Sequence, residues 1–220
     1  MLLAAIVGSG IMGDRLSGGN VAIALLANTI ATGAALVALI LTFGPISGGH
    51  FNPAVSFADA SQGGLSWRDA GAYALVQVLG AVIGVALADA MFGEPIYAWS
   101  RHVRSGFPQV LSESIATFGL MAVIWGCSRR RSDAVPFAVG AYITAAYWFT
   151  ASTSFANPAV TLARAMTDTF AGIRPQDVPA FWLAQAAGAT AATTLFRWLV
   201  PNLEQTANAV VVPRESASKR

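Results

Sequence analysis

Two side-chain amides stand out as groups able to bind a passing solute. Asn52 opens the tetrapeptide Asn52-Pro53-Ala54-Val55, and Asn157 opens a second copy, Asn157-Pro158-Ala159-Val160, each set between strongly apolar stretches. Asn is a favoured helix N-cap and Pro suits the first helical position, so each copy reads as the start of a helix. A helix start carries free N–H groups and a partial positive charge of about half an elementary charge. Two such starts facing each other repel cations and hydronium, while a neutral solute with a lone pair accepts hydrogen bonds from the two amides. A single Asn-Pro reads as a surface turn or a simple cap. Two copies in one skeleton, Phe51-Asn52-Pro53-Ala54-Val55-Ser56-Phe57 against Ala156-Asn157-Pro158-Ala159-Val160-Thr161-Leu162, favour a pore.

The elements that position these amides must lie in a membrane. Of the 220 residues 55% are hydrophobic and only 11% charged, with mean hydropathy +0.58, against about a quarter charged in an ordinary soluble domain. A formal charge of +2 excludes a nucleic-acid surface. The one cysteine, Cys127, excludes an internal disulfide and reads as a small buried apolar residue. With only two histidines no Cys/His metal cluster is available, and no cofactor is expected. No Ser/His/Asp set or carboxylate pair marks an enzyme.

Apolar stretches of about 20 residues, the length that spans a bilayer, run about 21–43, 70–92, 111–128, 134–153 and 178–200. Two shorter helical patterns, about 52–60 and 157–167, begin at the asparagines and read as re-entrant half-helices reaching only the midplane. The opening stretch Met1 to Met12 has the apolarity of a span but about half its length, and no signal-peptide pattern. It reads as a first span lacking its beginning, with residues expected upstream of Met1. Asn52 and Asn157 are 105 positions apart, and Asp69, Gln77 and Gly80 recur as Asp177, Gln185 and Gly188 at a spacing of 108. The chain therefore reads as a tandem duplication of three spans each, the second copy inverted, so that the half-helices meet start to start. Residues 1–200 form one channel domain, with repeat one about 1–93 and repeat two about 110–200. Residues 201–220 read as a flexible tail. Arg129-Arg130-Arg131 place their short loop, and with it the C-terminus, in the cytoplasm. Arg101, His102 and Arg104 then fall outside, against that rule.

The segments entering the half-helices, Ser47 to Phe51 and Ser152 to Ala156, are expected to be extended so that successive carbonyls face the lumen. Gly48, Gly49, His50, Phe51, Thr153, Phe155 and Ala156 are the lining candidates there, and His50 is a candidate for pH sensing. Arg164 lies seven positions after Asn157, about 10 Å along the half-helix at 1.5 Å per residue. It and Asp59, at the equivalent place after Asn52, read as paired with loop groups. Gly80 and Gly84 read as a close helix contact. Trp67, Trp99, Trp148, Trp182 and Trp198 read as an interfacial belt.

Ser47-Gly48-Gly49-His50-Phe51-Asn52-Pro53-Ala54-Val55, with Glu113, Thr117 and Gly119 opening a later span, resembles the aquaporin or major intrinsic protein family over nearly the whole chain. The resemblance implies an all-α membrane protein: a right-handed six-span bundle of two inverted repeats, its first span truncated, in the inner (plasma) membrane as a homotetramer. It implies a structural bracing role for Glu113, whose first-span counterpart would lie upstream of Met1. It also locates an outer selectivity filter at Thr32, Ala145, Ser154 and Val160. The family's usual arginine follows Asn-Pro-Ala directly, and Val160 stands there. Such a filter is expected to be wide and uncharged. The wording from Tyr147 to Asn157 resembles bacterial aquaglyceroporin-like channels linked to arsenic resistance. Water, glycerol-like polyols and arsenite are thus the expected solutes. The alternative is a secondary transporter, since inverted repeats also build carriers. Carriers need a mid-membrane ionisable group for coupling, and the spans offer only Glu113 and Asp89 near their ends.

Overall fold

Apolar helices make up most of the described chain. The computed structural model describes residues 1–128 and 131–199. Arg129 and Arg130, on which the orientation rests, and the tail 201–220 lie outside the described residues.

Among the described residues eight α-helices follow in order: α1 (Leu2–Leu16), α2 (Val21–Ser47), α3 (Pro53–Ser61), α4 (Trp67–Phe92), α5 (Phe107–Ser128), α6 (Val135–Phe149), α7 (Pro158–Arg164) and α8 (Val178–Leu199). No strand occurs among the described residues. Local chemistry sets several boundaries. Asn20 accepts from Ala22 and Ile23 N–H to start α2, and Ser66 accepts from Asp69 N–H to start α4. Gly48 and Gly93 end α2 and α4 in the left-handed conformation that costs glycine least.

Among the described residues three helices, α2, α4 and α5, are long and apolar enough to cross a bilayer. The sequence pattern counted five spans. α6 falls short because it ends at Phe149 and has only 15 residues, about 22 Å at 1.5 Å per residue. α8 reaches 22 residues, but Gln185, Thr190, Thr193, Thr194 and Arg197 dilute its apolarity.

The packing of α5–α8 repeats that of α1–α4. α1 lies against α2 and α4, α5 lies against α6 and α8, and α2 meets α6 across the two sets. The short helices α3 and α7 both rest on α4 and α8. Close approach depends on glycine where helices nearly touch. A Cβ on Gly84 would stand 2.9 Å from Leu3 Cβ on α1, whereas Gly80 faces open space, so of that expected small-residue pair only Gly84 makes the contact. A Cβ on Gly188 would collide with the Ser114 carbonyl oxygen on α5, and one on Gly140 would stand 2.8 Å from the Gly33 carbonyl oxygen on α2. Backbone cannot yield there as a side-chain tip can. Gly188→Val is therefore expected to push α8 off α5 and cost about 1–3 kcal/mol, the range for overpacking. Its melting temperature in detergent should drop clearly below that of Gly80→Val, which meets nothing.

Candidate functional site

Each asparagine does two jobs, one local and one across the molecule. Asn52 Oδ1 accepts from Ala54 N–H at 2.9 Å, and Asn157 Oδ1 accepts from Ala159 and Val160 N–H at 3.0 and 3.2 Å, capping α3 and α7. The amide nitrogens then exchange partners. Asn52 Nδ2 donates to the Ala156 carbonyl at 2.7 Å, and Asn157 Nδ2 donates to the Phe51 carbonyl at 2.8 Å. Two helix starts far apart in the chain are thus locked against each other. Each amide uses one of its two N–H groups across the junction, so one remains for another acceptor.

Behind each asparagine a glutamine repeats the symmetry. Gln77 Nε2 donates to Ser56 Oγ at 3.1 Å, and Gln185 Nε2 donates to Thr161 Oγ1 at 2.8 Å. Ser56 and Thr161 both stand four residues after their asparagine. The recurrence of these glutamines is visible in the sequence, but their role is not.

The segments before the asparagines are not extended. Gly49 and Ser154, three positions before, and Phe51 and Ala156, one before, all have positive φ between 47° and 59°. Thr153 adds a further one at 59°. Non-glycine residues held there cost on the order of 1–3 kcal/mol each unless the surroundings enforce them. Glu113, fully buried on α5, provides that enforcement for the second segment. Its Oε1 accepts from Ser152 Oγ at 2.6 Å and Phe155 N–H at 2.8 Å, and its Oε2 accepts from Ala156 N–H at 2.9 Å and Gln185 Nε2 at 2.7 Å.

An internal cavity of about 50 Å³ runs along this junction, room for a few water molecules at roughly 10–15 Å³ each. Asn52 and Asn157 line it, with Gly49, His50, Phe51, Phe155 and Ala156 from the two segments. Thr32, Ser154 and Val160 of the expected filter also line it. Leu36, Ile40, Leu120, Ile124 and Val139 form an opposing apolar wall. Pro53, Ala54, Pro158 and Ala159 stand behind the asparagines rather than on the cavity wall.

Three expected lining residues lie elsewhere. Gly48 is spent on the α2 cap, and Thr153 turns its hydroxyl to Arg104. Ala145 is exposed on the outer face of α6, while Ile143 and Tyr147 present the inner face. Two positions along a helix are about 200° of rotation, enough to exchange cavity for exterior. Tyr147 places its hydroxyl 3.4 Å from Thr32 Oγ1.

The sequence reading expected an uncharged filter, but Arg164 lines the cavity together with Val160. The Arg164 guanidinium stacks on the Phe155 ring at 3.5 Å, and its Nε donates to the Ala171 carbonyl. Pairing with a loop group, as the sequence implied, is therefore only part of its role. His50 is also held: Nδ1 lies 3.0 Å from Ser56 Oγ and Nε2 lies 3.6 Å from Asp59 Oδ2.

Sequence reasoning overlooked Arg104. It sits in the connection from α4 to α5, buried, with Nε donating to the Gly172 carbonyl at 2.8 Å and Nη1 to the Ser152 carbonyl at 3.2 Å. Its guanidinium also stands 5.0 Å from the Phe155 ring. Burial pulls its pKa down to about 10, with Glu113 and Tyr147 opposing that shift, so it stays protonated at neutral pH. Nearby, the backbone N–H and side chain of Arg101 hold the Asp168 carboxyl below its ordinary value. The misfit of Arg104 with the positive-inside rule, under the orientation the sequence suggested, was the available signal.

Comparison with known proteins settles the family. The sequence pattern described as "Major intrinsic protein" matches residues 1–154 and 129–220. The chain belongs to the major intrinsic protein family. It is 57% identical over 200 residues to "Aquaglyceroporin AqpS" of Rhizobium meliloti (strain 1021), covering 91% of this chain and 85% of that protein. It is 37% identical over 119 residues to "Aquaporin NIP1-1" of Zea mays, covering 52% of this chain and 42% of that one. Major intrinsic proteins are membrane channels rather than enzymes. The apolar helices of this chain accord with that setting.

Proposed function

We propose that this major intrinsic protein is a passive channel for small neutral solutes: water, glycerol and similar polyols, and arsenite. The observation that carries the reading is the reciprocal pair of bonds from Asn52 to the Ala156 carbonyl and from Asn157 to the Phe51 carbonyl. Those bonds hold two helix starts against one narrow cavity, leaving one N–H on each amide for a solute oxygen. In this reading α3 and α7 are re-entrant half-helices of a six-span, inverted-repeat bundle in the inner membrane. The protomer is one of four in a homotetramer, and the Arg129 to Arg131 loop and C-terminus are cytoplasmic. Thr32, Ser154 and Val160 form the outer filter, with Tyr147 in the place expected for Ala145. The relative named an aquaglyceroporin supports the solute class.

A neutral solute crosses by exchanging water hydrogen bonds for those of the lumen. The amides of Asn52 and Asn157 donate at the centre, carbonyls of the entering segments accept on either side, and the apolar wall keeps other partners away. Facing helix starts make a cation costly at the junction.

Stopped-flow swelling of proteoliposomes under water, glycerol and arsenite gradients tests this. Flux should exceed that of bare liposomes by at least about tenfold, rise linearly with concentration and ignore ion gradients. Saturating flux that follows a sodium or proton gradient would instead make the protein a carrier.

A further inference from the structure

Val160 stands where the family resemblance places an arginine, yet a guanidinium lines the same cavity from one turn further along. Val160 and Arg164 are i and i+4 on α7, hence on one face. Helical side chains lean back over the turn that precedes them. Arg164 therefore reaches toward Val160 rather than away from it, which is why a distance counted along the axis made it look too remote. Its surroundings leave one part of the fork unused. Nε is held by the Ala171 carbonyl and the flat face rests on Phe155, but Nη1 has no protein partner although the residue is only 2% exposed. A second orphan lines the same cavity: the hydroxyl of Ser154, also 2% exposed, has no partner for its Oγ. A buried polar atom without a partner is costly, and more so when it is charged. Both residues line one cavity, and an occupant there would supply the missing partner.

We propose that Arg164 and Ser154 form the solute-selecting pair of this lumen, with the Arg164 Nη1 donating to a lone pair of a neutral hydroxylated solute and the Ser154 hydroxyl free to donate or accept beside it. The pair rests on the channel reading. Stacking on Phe155 and the bond to Ala171 fix the guanidinium plane, so the donor waits in place rather than being recruited. Tyr147 and Thr32 complete the polar side of this level. A polyol fits such a pair because each hydroxyl can accept from the arginine and exchange a proton-sharing bond with the serine, whereas a cation meets fixed positive charge.

The test places a thiol at Ser154 in a chain with Cys127→Ala. Ser154→Cys is treated with anionic sulfonatoethyl methanethiosulfonate or cationic trimethylammonioethyl methanethiosulfonate, applied to both sides of proteoliposomes, and loss of water flux gives each reaction rate. With Arg164 present the anionic reagent should react faster. The anionic-to-cationic rate ratio should fall about tenfold in Arg164→Gln, the scale of one unit charge a few ångströms away, and persist in Arg164→Lys. A ratio unchanged by Arg164→Gln, or a conducting Ser154→Cys protein that neither reagent touches, overturns the assignment. A parent chain that passes no solute faster than bare liposomes sinks the channel reading itself, so the two failures are distinguishable. If Arg164→Gln does not fold, the same ratio is read in Arg164→Met beside Arg164→Lys; loss of preference in the methionine variant alone supports the pair, and equal ratios in both overturn it.

Discussion

Glu113→Gln should unseat the segment from Ser152 to Ala156. The carboxylate accepts four hydrogen bonds through its two oxygens. A carboxamide of the same shape has one acceptor oxygen and an NH₂ group, so whichever way it turns, two of the four donors face another donor. Hydrogen bonds to a charged group are worth about 1.5–3 kcal/mol each, and losing two places the cost at roughly 3–6 kcal/mol. The segment has no slack to absorb it, since Thr153, Ser154 and Ala156 are already held at positive φ. Most of the Glu113→Gln protein should be lost as aggregate in size-exclusion chromatography, and the remainder should melt well below the parent. Glu113→Asp keeps the charge with a shorter reach and should lie between the two. A glutamine variant with the parent's melting temperature would remove Glu113 from any bracing role.

Val160→Arg should narrow the lumen and suppress larger solutes first. Val160 is buried on a cavity of only about 50 Å³, and a longer side chain there must displace solute space or neighbours. The newcomer also meets a like charge one turn along at Arg164, an arrangement that disfavours both groups. A narrowing that raises the barrier for the bulkier permeant by about 1.4 kcal/mol lowers glycerol flux roughly tenfold. Water flux should fall less. Swelling assays with both solutes on one preparation decide the matter: equal loss for water and glycerol takes position 160 out of the filter. A companion Val160→Leu, uncharged but larger, separates width from charge.

Glu113 illustrates a role that the family resemblance implied and no local pattern of residues spells out; its four hydrogen bonds to Ser152, Phe155, Ala156 and Gln185 fit that role. Arg104 had no such guide. Nothing local ties it to Ser152 or Gly172, 48 and 68 positions away, so only the path of the connection from α4 to α5 reveals that it pins two loops. The strained φ values before Asn52 and Asn157 were likewise hidden, since Phe51, Thr153 and Ala156 are residue types that ordinarily avoid that region.

The linear chain alone determined the membrane setting, the two capped helix starts and the recurrence of Asn-Pro-Ala-Val, because composition, capping and short repeats are properties of neighbouring residues. Only tertiary structure decided what lines the cavity. Ala145 and Tyr147 differ by two residues but face opposite sides of α6, as a step of about 100° per residue requires. Arg164, seven residues past Asn157, still shares a cavity with it, because side chains on a helix lean toward its start. Helical phase and side-chain lean are fixed by packing against other elements, and that information is spread over residues far apart in the chain.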